Sequence, residues 1–168
     1  MIEIIVAFSQ NGVIGNRGVI PWNIPGEKQL FLQHCQNKAV IMGRKTYEEI
    51  NHPLPNSLNI ILSRSISKIS GCSVADSLQS ALLLANKRDI VIAGGEEVYK
   101  EALPIADLLI LTRIECQIKG DRYFPNWDRD DFVFMKEEFV PATIPYTRMY
   151  YKRKEKKNEC FKSGTLGV

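Results

Sequence analysis

Short runs rich in Val, Ile and Leu recur along this chain, and few of them alternate with polar residues. They cover Ile2 to Phe8, Ala39 to Met42, Leu58 to Leu62, Ile90 to Ala93 and Leu108 to Ile114. A strand that is apolar on both sides is buried on both faces, as in a parallel sheet. Parallel strands need crossovers, and helical stretches lie between the runs: Glu27 to Cys35, Arg44 to Ile50, Ser77 to Ala85 and Glu96 to Leu103. The alternation predicts an α/β fold, with a central, mostly parallel sheet of about eight strands and helices on both faces. The end of the chain differs. Phe132 to Phe139 and Thr147 to Lys152 have no helix between them, and Pro141 and Pro145 bound the turn region. That pattern predicts an antiparallel hairpin on one edge.

A chain of 168 residues is long enough to bury its own core, so one domain over residues 1–154 and a monomer are expected. Residues 155–168 show no apolar periodicity and read as a flexible charged tail. Between residues 152 and 162, six Lys and Arg face two Glu, a local charge of +4 within a net +3, so the remainder is −1. A body without basic excess is not a nucleic-acid binder. The N-terminal run Met1 to Phe8 has no basic segment before it and is too short for a membrane span, so a cytoplasmic protein with no membrane partner is expected. Cys35, Cys72, Cys116 and Cys160 form no C-x-x-C pair and His34 and His52 are the only histidines, so free thiols and no metal are expected.

In an open α/β sheet, ligands bind beyond the carboxyl ends of the strands. Gly43-Arg44-Lys45-Thr46 follows the second apolar run, Ser63-Arg64-Ser65 the third, and Gly94-Gly95-Glu96-Glu97-Val98-Tyr99 the fourth. Bases, hydroxyls and glycines at such positions suit phosphates. Each segment also reads as an ordinary turn or solvated helix start. No G-x-G-x-x-G or P-loop motif occurs. Asn11 to Gly18 is a long glycine-rich loop suited to a lid.

The stretch Ile20-Pro21-Trp22-Asn23-Ile24-Pro25-Gly26-Glu27 leads into a helix with Pro25 at a first helical position. Leu30, Phe31, His34 and Cys35 fall at i+3, i+4, i+7 and i+8 from Glu27, so the acid shares a face with an aromatic ring. A carboxylate over an aromatic wall suits a flat, nitrogen-rich heterocycle with an amidine edge. An acid in a first turn also simply complements the helix dipole.

Together these segments resemble the dihydrofolate reductase family. The matching stretches are Gly12-Val13-Ile14-Gly15, Pro21-Trp22-Asn23-Ile24-Pro25, Val40 to Thr46, Pro53-Leu54-Pro55, Asn59 to Ser63, Gly94-Gly95, Leu111-Thr112, and Gly120-Asp121 with Phe124-Pro125, in the family's order. The resemblance implies NADPH-dependent reduction of 7,8-dihydrofolate to tetrahydrofolate, and binding of antifolates. It implies that Glu27 holds the pterin and helps protonate N5 through water positioned by Trp22, with Thr112 bonded to Glu27. Ile5, Phe31, Ile50 and Leu54 would wall the substrate, and Ala7, Ile14 and Ile20 would face the nicotinamide. Gly15, Gly43, Arg44, Lys45, Thr46, Leu62, Ser63, Arg64, Ala93, Gly94, Gly95, Glu96, Glu97, Val98 and Tyr99 would complete the cofactor site, with a cis peptide at Gly94-Gly95.

Three departures stand out. Glu96 replaces a glycine common after the Gly-Gly pair. Gly26-Glu27 replaces the usual Ala-Asp and is similar to trimethoprim-resistance reductases of mobile elements. Ser57 stands where the family has an arginine that grips the folate glutamate, leaving Lys28, or more weakly His52, as a substitute. The departures keep open a reductase of unconjugated dihydropterins. A riboflavin-pathway reductase would not need the Trp22 to Glu27 clamp, and a non-catalytic NADPH-binding module would not need Glu27, Trp22 and Thr112 intact.

Overall fold

The computed structural model describes residues 1–155, so the expected tail lies, after Glu155, outside the described residues. In chain order the elements are β1 (Ile2–Ser9), β2 (Val13–Gly15), α1 (Pro25–Cys35), β3 (Ala39–Gly43), α2 (Arg44–Ile50), β4 (Leu58–Leu62), β5 (Ser73–Ala75), α3 (Leu78–Leu84), β6 (Ile90–Ile92), α4 (Glu96–Ala102), β7 (Leu108–Ile114), β8 (Arg122–Tyr123), β9 (Phe132–Val140) and β10 (Tyr146–Arg153).

Eight strands form one sheet in the order β5-β4-β3-β6-β1-β7-β10-β9. Every pairing among β5, β4, β3, β6, β1 and β7 is parallel. Strand β10 adds antiparallel to β7 and turns back on β9, which closes the edge as the expected hairpin. The apolar runs are the central strands, and the residues of β3 from Ala39 to Met42 are fully buried.

Helices cover both faces. One face packs Ile4, Val6, Ile41, Ile60 and Ile92 against Leu78 and Ala81 of α3 and Val98, Tyr99 and Ala102 of α4. The other packs Ile5, Val40, Met42, Ile61, Val91 and Ile110 against Phe31 and Cys35 of α1 and Tyr47 and Ile50 of α2. Along β1, Ile4 and Val6 thus face one layer and Ile5 the other, as strand alternation requires. A buried acid, Glu3, sits on the α1 face. Its carboxylate meets the His34 ring and accepts from Lys38 Nζ at 2.8 Å. His34 thus serves the far end of α1, away from Glu27.

Three short strands escape the sequence reading. Strand β5 extends the sheet edge. Strand β2 pairs antiparallel with β8, so the glycine-rich lid is a short ribbon rather than an open loop. The described cysteines Cys35, Cys72 and Cys116 are free thiols.

Candidate active site

Helix α1 begins at Pro25, whose ring occupies the first helical position, and no side chain caps it. Its first turn lies over β10: a Cβ on Gly26 would sit 3.4 Å from the Tyr146 hydroxyl. Cross-strand register fixes what lies below. Ala7 pairs with Thr112, Thr112 with Arg148, and Arg148 with Glu138, so these four side chains share one row on one face. Glu27 is half-buried above this row. Burial pushes its carboxyl above the ordinary range, and the Arg148 charge and the Thr112 hydroxyl pull it part-way back. The Thr112 hydroxyl is fully buried near Glu27 but has no hydrogen-bond partner, so the expected Thr112–Glu27 bond is not made here.

The residues expected to wall the substrate, Ile5, Phe31, Ile50 and Leu54, meet in one apolar cluster. Ile5 and Leu54 are buried with Phe31, Ile50 and Ala93 packed in the same cluster. Leu54 is pinned by Asn59, whose amide accepts from the Leu54 N–H at 2.9 Å and donates to its carbonyl at 2.9 Å. Trp22 and Ala7 pack together beside Ile24, Ile114 and Tyr146.

The strand ends open into a cavity of about 810 Å³. It is lined by Ile14 and Gly15 of the lid, Gly43, Arg44, Lys45 and Thr46, and Gly95, Glu96, Glu97 and Val98. The glycines form a close cradle. Gly43 donates its N–H to the Gly94 carbonyl at 2.7 Å. A Cβ on Gly95 would lie 3.4 Å from Thr46 Oγ1, and one on Gly94, at φ +122, would lie 3.2 Å from the Tyr99 hydroxyl. The Gly94-Gly95 peptide is cis. Arg44 is held by Glu48 at 2.6 Å. Ser63 and Arg64 line a second cavity, of about 980 Å³, with Asp76, Ser77 and Ser80, and Leu62 ends β4 beside it.

A family model described as "Dihydrofolate reductase" matches residues 1–153. The chain belongs to the dihydrofolate reductase family. It is 37% identical over 156 residues to dihydrofolate reductase type A13 of Escherichia coli, covering 91% of this chain and 94% of that one. It is 42% identical over 135 residues to the dihydrofolate reductase of Haemophilus influenzae, covering 79% and 84%. Among solved structures it is similar to the dihydrofolate reductase from Enterococcus faecalis complexed with NADP(H) and RAB-propyl. There the TM-score is 0.87 and the identity 29%, with 92% of this chain and 97% of that one covered.

Some site residues sit differently from the others within this reductase fold. Tyr99 points inward and donates its hydroxyl to the Ile5 carbonyl at 2.9 Å. Glu96 lines the cleft, and its carboxylate accepts from the Tyr123 N–H at 3.2 Å. Ile20 is exposed, and its N–H donates to Glu49 at 2.6 Å, which ties the lid to α2. Ser57 does not face the cleft as a free hydroxyl. It donates to the Cys35 carbonyl at 2.9 Å and the Pro55 carbonyl at 3.1 Å, and so satisfies the end of α1. Lys28 and His52 are exposed. Sequence reasoning missed Glu49 and Arg148. Alternation along Tyr146, Arg148 and Tyr150 marks a shared face, but which face is set by pairing with β7.

Proposed function

We propose that Glu27, Trp22 and Thr112 carry out the reduction of 7,8-dihydrofolate to tetrahydrofolate with NADPH. The observation that carries the reading is the half-buried Glu27 carboxylate above the unpartnered Thr112 hydroxyl, at the carboxyl ends of β1 and β7. A dihydropterin presents two N–H groups on one edge, which an ionised carboxylate accepts as a pair. Thr112 Oγ1 offers a further polar partner at the same edge. The wall of Ile5, Phe31, Ile50 and Leu54 receives the flat rings. An acid lifted toward neutrality can relay a proton to N5 through water beside Trp22. Bound NADPH supplies the hydride for C6.

The residues present fit that cofactor. The close glycine cradle admits backbone contact with phosphates, and Arg44, Lys45 and Thr46 add charge and a hydroxyl to the same cavity. Ala7, Ile14 and Ile20 are assigned to the nicotinamide. Arg64 with Ser63, in the second cavity, suits the extra phosphate that separates NADPH from NADH. We assign residues 1–154 to one reductase unit acting as a cytoplasmic monomer. No helix among the described residues is long and apolar enough to cross a membrane.

A second reading has one observation in its favour. Residue 57 is a serine whose hydroxyl is engaged by α1, so it offers no cation to grip a glutamate, as a reductase of unconjugated dihydropterins allows. The decisive assay follows loss of NADPH absorbance on adding dihydrofolate, beside a dihydropterin lacking the aminobenzoyl-glutamate tail. Dihydrofolate is expected to be the better substrate. Glu27→Gln should lower turnover by about 10²–10⁴-fold, the range for a positioned acid, with NADPH binding retained. Near wild-type turnover in that variant would remove Glu27 from the reaction. Equal efficiency on the tail-less compound would favour the second reading.

A further inference from the structure

Among the described residues, the buried side-chain nitrogen and oxygen atoms without a hydrogen-bond partner are three: Thr112 Oγ1, Arg148 Nε and Arg148 Nη2. All three belong to one cross-strand pair, Thr112 of β7 and Arg148 of β10. Buried polar groups normally find partners, because an unmade bond in the interior costs free energy that water would have supplied. Arg148 is only 5% exposed. Its guanidinium lies 5.6 Å from the centre of the Tyr146 ring, which accounts for part of its setting but leaves two donor nitrogens unpaired. An apolar side chain there would avoid the cost of burying a charge. Violations of this kind collect at functional sites.

We propose that Arg148 is a positioning residue for Glu27: its buried guanidinium, in the row that the first turn of α1 covers, is the positive charge set beneath the carboxylate without touching it, so that the site receives a neutral heterocycle and disfavours a cationic one. This rests on the assignment of Glu27 made above. Two acids feel the Arg148 charge, the exposed Glu138 and the half-buried Glu27. From α1 comes Glu27, from β7 the neutral Thr112, and from Arg148's own strand Tyr146 and Tyr150. From β9 come Lys136 and Glu138; Glu138 stands opposite Arg148, and its carboxyl is held low by the bond it accepts from Lys136 at 2.6 Å and, less, by the Arg148 charge, but both β9 residues are exposed to water, which screens them. From α4 comes Tyr99, whose hydroxyl is engaged by Ile5. Arg148 opposes the effect of burial on Glu27. A neutral pterin brings donors and no charge to this pair. A diaminopyrimidine bound as its cation brings a second positive charge into a buried site that already holds one, and like charges at close range in low dielectric repel.

The test uses the full chain with Arg148→Met, Arg148→Gln and Arg148→Lys. The carboxyl of Glu27 is titrated by carbon NMR in ¹³C-glutamate-labelled enzyme without ligand, its signal assigned by Glu27→Gln. In the Met and Gln variants the midpoint should rise by about one pH unit or more, and Lys should restore most of it. The ratio of dihydrofolate KM to the inhibition constant of a diaminopyrimidine should rise about tenfold, the equivalent of one unit. An unmoved midpoint in both neutral variants overturns the proposal, whether or not they melt earlier. Gln stays close in size and polarity, so a Met variant that fails to fold still leaves the titration readable. The titration needs no substrate, so a wild-type enzyme that shows the shift but reduces no dihydrofolate refutes the functional reading alone.

Discussion

Replacing Tyr99 with Phe tests how the fold supports the cleft. Strand β6 pairs with β1 only as far as Ile4 and Ile92, and the chain then leaves through Ala93-Gly94-Gly95 into α4. Strand β1 continues against β7 as far as Ser9 and Ile114. Past Ile4, the side of β1 that faced β6 loses its neighbour, and the Tyr99 hydroxyl reaches across to the Ile5 carbonyl at 2.9 Å. Tyr99 is 4% exposed, and burial pushes its phenol well above the usual range, so it stays a donor at any working pH. Phenylalanine keeps the edge-on contact with Phe124, whose ring centre lies 5.4 Å away, and removes one buried hydrogen bond. The expected loss is about 1–3 kcal/mol. For a domain of this size that is a fall of about 2–12 °C in Tm. Thermal unfolding followed by circular dichroism measures it, and NADPH titration supplies the contrast. With the hydroxyl engaged inward, NADPH affinity should stay within about twofold, roughly 0.4 kcal/mol. An unchanged Tm with a large loss of NADPH affinity would refute the reasoning and turn the hydroxyl toward the cofactor.

Asn59→Leu should destabilise by about 2–5 kcal/mol, because it strips both bonds from a buried Leu54 backbone. It should also raise dihydrofolate KM through the loosened wall; denaturant unfolding beside kinetics checks both, and a stable variant with wild-type KM contradicts it. Glu3→Gln should cost about 2 kcal/mol at neutral pH, less than a fully buried pair because Lys38 and His34 are partly exposed. Burial raises the Glu3 carboxyl, but His34 and Lys38 bring it to a net position below 4.5. Its contribution is therefore present above that value and lost as pH falls through the lower folded value, so wild type and variant should converge in acid, and a gap that persists there rules the ion cluster out. Ser57→Arg should lower dihydrofolate KM while losing about 1 kcal/mol of stability with the bond to Cys35, and Lys28→Ala should raise KM; steady-state kinetics with unchanged KM in both variants would mean that neither position reaches the glutamate.

The legible part of the fold was the part held by long-range burial. Five apolar runs became central parallel strands because two-sided burial leaves the same mark along a whole strand. Strands β2, β5 and β8 are two or three residues long, too short to show any period, and exist because a neighbour's register supplies their bonds. The candidate site divides in the same way. Glu27 stood out from its own helix, where proline, tryptophan and acid are close in sequence. Arg148 lies far along the chain from it and reads locally as one more polar residue near a basic tail. Its place follows from pairing with Thr112, which no local pattern encodes. Ser57 was legible as a departure, but its bond to the Cys35 carbonyl, which gives it a structural role, required the turn to be seen.

The site sits where regular pairing runs out. At the carboxyl ends of the strands β6 stops first, β1 and β7 continue, and the glycines after β3 and β6 meet across the gap they leave. A sheet end normally leaves backbone groups in need of partners. Here Tyr99 takes one of them, the Gly43 N–H takes another, and the close glycine contacts keep side chains out of the remaining space. The polar atoms still unsatisfied beneath Glu27 are side-chain groups, Thr112 and Arg148. These open side-chain atoms lie beneath Glu27, the acid that we propose faces the substrate. On that proposal a ligand with a complementary edge offsets a cost that the protein alone would bear, which is how binding energy becomes selectivity.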